Sequence, residues 1–232
     1  MKKKNKAIYL LFLMPFVYFA TACFVVWLVK TSGIYPSGSD TMYHVYRGDY
    51  VYNAIKSGNW YPLYDPAWYN GVEILRYWSP FPAYVMAFCQ YLAGGSQFGA
   101  YLFYIGGVCF LGACVWPFIG RGFNRPYLGA FIGLLWFFIP NNLCAIFIEG
   151  NLARSLSMIF LPVFIYSVYK YLYNHKLRDI PLMVFTFLLM ELCHLGYAGM
   201  VAIAVIIYGI VYIIQKGRKK AVLDVVISMI FG

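Results

Sequence analysis

Three groups of residues in this sequence have the types and spacing to do chemistry. Asp40, His44 and Arg47 stand at i, i+4 and i+7, so on a helix they share one face. A carboxylate there can take a proton or hold a divalent cation, and an arginine can clamp a phosphate. The same pattern also describes a capping Asp followed by a solvated helix face with an Asp–Arg pair. Glu149 and Arg154 flank the short turn Glu149-Gly150-Asn151 between two apolar segments. They read either as a second acid and a second phosphate contact or as an ordinary inter-span turn with an ion pair. Glu191 and His194 are spaced i, i+3. That is half of a carboxylate-bridged metal motif, or a hydrogen-bonded polar pair between packed helices.

These groups sit in an otherwise apolar chain. Of 232 residues, 62% are hydrophobic and only 11% are charged, where soluble domains carry about 25% charged residues. The fold class is therefore all-α, a polytopic bundle of membrane-spanning helices treated as a single membrane domain, 1–232. Spans are predicted near 7–29, 98–119, 127–148, 155–173, 180–196 and 199–215, and another opens at 221 and is still running at 232. A span cut off in this way predicts an N-terminal piece of a longer chain, or a short relative of one. The apolar run after Lys6 is longer than the ~7–15 residues of a signal-peptide core, which predicts an uncleaved first span.

Between the first two spans lies a long polar loop, 30–97. Its stretch from Ser37 to Pro82 holds four of the eight carboxylates, Asp40, Asp49, Asp65 and Glu73. Ser39 or Asp40 can cap a helix that runs to about Ser57 and stops at Gly58. Gly48 weakens that helix. An aromatic, proline-broken stretch follows from Asn59 and closes at the Asn70-Gly71 turn. Trp60, Tyr61, Tyr64, Trp68, Tyr69, Tyr77 and Trp78 suit the headgroup layer.

Residues 81–93 decide the topology. At about 13 residues they cover roughly 20 Å as a helix, short of a ~30 Å hydrocarbon core. Treated as an interfacial helix, they leave thirteen basic residues inside: Lys2, Lys3, Lys4, Lys6, Arg121, Arg125, Lys170, Lys176, Arg178, Lys216, Arg218, Lys219 and Lys220. Five fall outside: Lys30, Arg47, Lys56, Arg76 and Arg154. The positive-inside rule then places the N-terminus in the cytoplasm and the loop 30–97 on the outer face. Asp40, Glu149, Glu191, His44 and His194 all fall at or near that face. The net charge of +10 is spread in short clusters between spans. That pattern fits topology and membrane lipid and argues against a nucleic-acid partner. All six cysteines lie in apolar stretches with no CxxC spacing, which predicts buried thiols rather than disulfides or a metal site.

An N-in first span, a long outer loop with an early acid, and a small outer turn with a second acid resemble the type C glycosyltransferases. More closely, SDTMYHVYRGDY, IKSGNWYPLYDPAWYNG, YWSPFPAYVMAF and IEGNLARSLSMIFLP resemble two groups of bacterial multi-span proteins. These are the 6-pyruvoyl-tetrahydropterin synthase-related membrane proteins and the YfhO-like glycosyltransferases. The likeness covers about 37–200. It implies a protein of the bacterial plasma membrane that moves a sugar from a polyprenyl-phosphate carrier to an extracytoplasmic acceptor. By that resemblance Asp40 is the catalytic or metal-site carboxylate and Glu149 the second acid, with a divalent cation on the two left open. Arg47 or Arg154 would meet the carrier's phosphate, with His44, Glu191 and His194 as supporting groups. Ser39-Asp40-Thr41 departs from the paired acids of many type C enzymes. The pterin label implies no zinc site, because His175 falls on the side opposite His44 and His194. The reading from another class is a non-catalytic membrane protein: a binder of lipid-linked substrate, a transporter or an envelope assembly factor.

Overall fold

The structure is a computed structural model that describes residues 2–36, 38–68 and 70–231, and the side chains from residue 12 onward. Ser37, Tyr69 and the side chains of Lys2, Lys3, Lys4 and Lys6 therefore lie outside the described residues. In order the chain forms α1 (Lys2–Ser32), α2 (Thr41–Lys56), α3 (Phe81–Leu92), α4 (Gln97–Gly122), α5 (Pro126–Leu135), α6 (Pro140–Leu143), α7 (Leu152–Asn174), α8 (Ile180–Cys193), α9 (Leu195–Lys216) and α10 (Lys219–Ile230). Among the described residues the sole β pairing is an isolated bridge between Asp65 and Val72. The protein is an all-α, polytopic membrane protein. Phe12–Ser32, Gln97–Gly122, Leu152–Asn174 and Leu195–Lys216 are each long and apolar enough to cross a bilayer. Pro126–Phe138 and Pro140–Ile148 make a fifth candidate, bent by 41° at its break. At 14 and 12 residues, α8 and α10 rise only about 21 and 18 Å. The chain divides into two compact units, Met1–Leu156 and Ser157–Gly232.

In the first unit α1 lies along α4 and α5. The buried Tyr18 hydroxyl donates to the Ala130 carbonyl at 2.8 Å. Small residues let these helices approach closely: a Cβ on Gly120 would lie 2.7 Å from the Gly129 α-carbon. In a bilayer, where hydrophobic drive between helices is weak, such close backbone packing holds spans together.

The segment 127–148, expected as one continuous span, is broken. Pro140 forces Ile139 out of the helical region, to φ −63°, ψ 120°. The buried Asn142 side chain donates to the freed Trp136 carbonyl at 3.0 Å, which removes the cost of an unpaired carbonyl inside a membrane protein. The chain then runs through a π-helical turn, Cys144–Ile148, into Glu149.

The connection between α1 and α4 is an ordered platform rather than a loose loop. Helix α2 packs on α3, and the contact is so close that a Cβ on Gly48 would lie 2.2 Å from Met86 Cγ. Tyr50 donates to the Tyr64 carbonyl and Tyr84 to the Trp60 carbonyl, both at 2.7 Å. These bonds pin the proline-broken stretch to the two helices. Asp65 is buried, accepts from the Tyr46 hydroxyl and from the Ala67 amide, and exchanges two backbone bonds with Val72. Trp60, Tyr61, Tyr64, Tyr77 and Trp78 are exposed, as headgroup-layer residues would be, while Trp68 packs edge-on against Tyr43 and Tyr46.

In the second unit, α8, α9 and α10 pack with the rest of α7 around Phe164, Met183, Phe187, Met190 and Val225. The six cysteines are free thiols.

Candidate functional site

Helix α2 starts at Thr41, with Asp40 at its N-cap position. The expected cap bond is absent: the Asp40 side chain makes no hydrogen bond to the helix amides. It accepts instead from the Ser39 hydroxyl at 3.0 Å. The Asp40 amide points across the chain and donates to the Glu149 carbonyl at 3.0 Å. Ser39 Oγ lies 3.1 Å from that same carbonyl oxygen, so its single proton is shared between the two acceptors. Segments more than a hundred residues apart are thereby joined backbone to backbone, and both acids that the sequence singled out sit at the junction.

Glycine makes the junction possible. Gly150 has φ +68°, and a Cβ there would fall 2.0 Å from Thr41 Oγ1 and 2.7 Å from the Thr41 amide. A Cβ on Gly38 would fall 2.6 Å from the same hydroxyl and 2.8 Å from the Gly150 α-carbon. Thr41 is buried between them, and its hydroxyl has no partner.

Glu149 reaches its place at the end of the π turn, its amide bonded to the Cys144 carbonyl at 2.8 Å. π turns inside helices are frequent at functional positions. Its carboxylate pairs with Arg154 at 2.7 Å through Oε2 and accepts from the Cys144 thiol at 3.4 Å through Oε1. The next helix is set by Asn151, whose Oδ1 accepts from the Arg154 amide at 2.9 Å. Tyr104 donates to the Leu152 carbonyl at 2.8 Å and ties the start of α7 to α4.

The face shared by Asp40, His44 and Arg47 is not solvated. His44 and Arg47 are buried, Arg47 to 1% exposure. No Asp–Arg pair forms there: the guanidinium lies 3.4 Å from the carbonyls of Trp78 and Ser79 and sits over the Tyr43 ring, with Nε unpartnered. Burial lowers the Arg47 pKa, since taking a cation out of water disfavours its charged form. Nearby, Tyr46 is pushed up to about 12 by its bond to Asp65.

Glu191 and His194 belong to the second unit, and the helical i, i+3 geometry expected of them does not form. Helix α8 ends at Cys193, and His194 is extended at φ −156°, ψ 93°. Its ring caps α9, with Nδ1 accepting from the Tyr197 amide at 3.0 Å. That bond needs an unprotonated Nδ1, so in this role any ring proton is on Nε2.

A divalent cation on Asp40 and Glu149 does not fit this donor set. Glu149 is already committed to a guanidinium and a thiol, and the described residues include no group of three His, Cys, Asp or Glu placed to hold a metal. A three-histidine zinc site fails for a separate reason. His175 and His194 stand at opposite ends of α8, about 21 Å of helix apart.

Residue-by-residue spacing gave Ser39 only a capping role and Gly150 only a turn, and it gave Thr41 and Cys144 no part in the site. The small residues flanking each acid, Gly38-Ser39-Asp40 and Glu149-Gly150-Asn151, were the available signal.

The helices and the junction define a multi-span membrane protein with an ordered platform inserted after its first span. The family model described as "6-pyruvoyl-tetrahydropterin synthase related domain; membrane protein" matches residues 75–232. The chain belongs to that family. The match takes in Glu149, Arg154, Glu191 and His194 but begins after Asp40, His44 and Arg47. No curated protein and no solved structure matches the chain.

Proposed function

We propose that the protein transfers a sugar from a polyprenyl-phosphate carrier to an acceptor at the outer face of a bacterial plasma membrane, with the N-terminus cytoplasmic and Asp40 as general base. One observation carries this reading. Asp40 is held against the Glu149 turn by its backbone, while among the described residues its carboxylate is spent neither on capping α2 nor on an ion pair. A base positioned by its main chain keeps its carboxylate for the substrate.

In the proposed step an acceptor hydroxyl gives its proton to the Asp40 carboxylate. The hydroxyl oxygen bonds to the anomeric carbon, and the bond from that carbon to the carrier phosphate breaks. The phosphate leaves with the bonding electrons. Arg154 is the guanidinium assigned to that charge, because its side chain is 19% exposed and it is paired with Glu149 from the first turn of α7. Arg47, buried beneath Trp78 and Ser79, is assigned to holding the platform rather than to the carrier. His194 serves as a helix cap, and neither it nor Glu191 is given a step.

A second reading has its own support. Both oxygens of Glu149 are occupied by Arg154 and Cys144, which suits a strut in a non-catalytic binder, transporter or assembly factor. Asp40→Asn separates the two. It keeps shape and the backbone bond to Glu149 and removes the base. On the enzyme reading, labelled-sugar transfer from a panel of polyprenyl-phosphate sugars in proteoliposomes falls by about 10²–10⁴-fold with membrane insertion unchanged. Undiminished transfer refutes the base role, and transfer by neither wild type nor variant favours the strut.

A further inference from the structure

The second unit carries three carboxylates, Asp179, Glu191 and Asp224. Two of them lie near the end formed by the α7–α8 and α9–α10 connections, and both are engaged. Asp179 pairs with Lys170 at 3.2 Å, and Asp224 accepts from the Tyr171 hydroxyl. Six further cations gather on the same two connections: Lys176, Arg178, Lys216, Arg218, Lys219 and Lys220. All six are exposed, and among the described residues none has a carboxylate within ion-pair distance. Interspersed charge would be the ordinary way to solubilise a surface. Here six cations are concentrated around two carboxylates, Asp179 and Asp224.

The two connections are brought together by specific contacts. Tyr212 donates to the Leu172 carbonyl at 2.7 Å, and Tyr171 bonds Asp224, so α9 and α10 are both tied to the end of α7. His175 is held at φ +54°, a conformation rare outside glycine. From there its Nε2 meets a guanidinium nitrogen of Arg218. An exposed histidine and an exposed arginine are thus brought together, with Lys176 next to one and Lys219 next to the other. A tetrahedral anion seated beside them would take charge-assisted bonds from the guanidinium.

We propose that this end of the unit is a seat for the phosphate of an anionic phospholipid headgroup, with Arg218 and His175 as its centre and Lys176, Lys219 and Lys220 as its rim. A lipid is the occupant because the seat lies at the ends of α7 and α9, both long and apolar enough to cross a bilayer. It is therefore at headgroup level, where juxtamembrane lysines and arginines attract anionic lipid. The seat is independent of the transfer reaction proposed above.

The test uses the full chain purified in neutral detergent. Lipid retention is read by native mass spectrometry during titration with phosphatidylglycerol, phosphatidylcholine or inorganic phosphate. The seat predicts one phosphatidylglycerol bound at least tenfold more tightly than phosphatidylcholine. Arg218→Lys keeps the charge and loses the planar fork, so it weakens retention several-fold, as does His175→Ala. Lys56→Gln removes a charge elsewhere and leaves retention unchanged. Thermal unfolding of each variant in the same detergent confirms that it is folded. Equal retention in Arg218→Lys and wild type means diffuse attraction and overturns the seat. Displacement of bound lipid by millimolar inorganic phosphate at matched ionic strength makes the occupant a soluble anion and overturns the lipid assignment.

Discussion

Replacing Gly150 with alanine puts the junction under direct strain. The substitution carries two costs that can be separated. Holding a non-glycine residue at φ +68° costs about 1–2 kcal/mol. The added Cβ also collides with Thr41, 2.0 Å from its hydroxyl oxygen and 2.7 Å from its amide nitrogen. The second contact is backbone, so a side-chain rotation cannot relieve it. The 38–41 segment must move off the Glu149 carbonyl, and losing the Asp40 amide bond adds about 0.5–1.5 kcal/mol. The total is about 1.5–3.5 kcal/mol, and on soluble-domain scaling each kcal/mol lowers Tm by about 2–4 °C. Gly33 supplies the control: its φ is +69° with nothing within 4 Å of a Cβ, so Gly33→Ala carries the conformational cost alone. Gly38→Ala supplies the converse, collision without the positive φ. In detergent thermal unfolding the expected order is Gly150→Ala least stable, with the other two between it and wild type. A Gly150→Ala protein no less stable than Gly33→Ala would refute the junction.

Two further outcomes follow from the local geometry. Tyr46→Phe removes a hydrogen bond to a carboxylate, worth about 1.5–3 kcal/mol. Because the Tyr46 pKa is raised to about 12 from 10.0, its contribution is complete below pH 10 and is lost as pH rises towards 12. Unfolding midpoints taken across that window should converge for wild type and Tyr46→Phe, and parallel curves would show that the bond does not form. His194→Ala leaves the α9 N-terminus uncapped and costs about 0.5–2 kcal/mol, while His194→Asn restores most of the loss. A larger loss in Asn than in Ala would point to a role other than capping.

Much of the local structure was legible because local chemistry dictates it. Helix α2 was expected from Ser39 or Asp40 to Ser57 and runs Thr41–Lys56, with Gly58 at φ +87° beyond it. The short helix expected at 81–93 runs Phe81–Leu92, bounded by the same prolines and glycines. What failed was information that periodicity lacks. Spacing put Asp40, His44 and Arg47 on one face but could not say that the face is buried. Gly48 looked like a weak point in a helix and is the seat for Met86. The Glu191-x-x-His194 pattern assumed an unbroken helix, whereas His194 leaves the helical region to cap the next one. Pro140 was visible in the sequence, but the repair that makes the break tolerable, Asn142 to Trp136, is a partnership set by the bent backbone. The junction of 38–41 with 149–150 rests on small residues whose only signature is the absence of a side chain.

Asp40 and Glu149 meet at one site, which the proposed function puts on the outer face. A cysteine-free protein carrying Asp40→Cys and Glu149→Cys tests it. The backbone bond of 3.0 Å keeps the two α-carbons within about 7 Å, at the edge of disulfide range and well inside the span of a short bis-thiol reagent. Intact cells are treated with a membrane-impermeant reagent of that kind, and a protease site inserted at Gly94-Gly95 reports the link. The expected result is that the two fragments stay joined after cleavage. Fragments that separate, while a permeant reagent joins them, would contradict the outer location. Separation under both reagents would contradict the site itself.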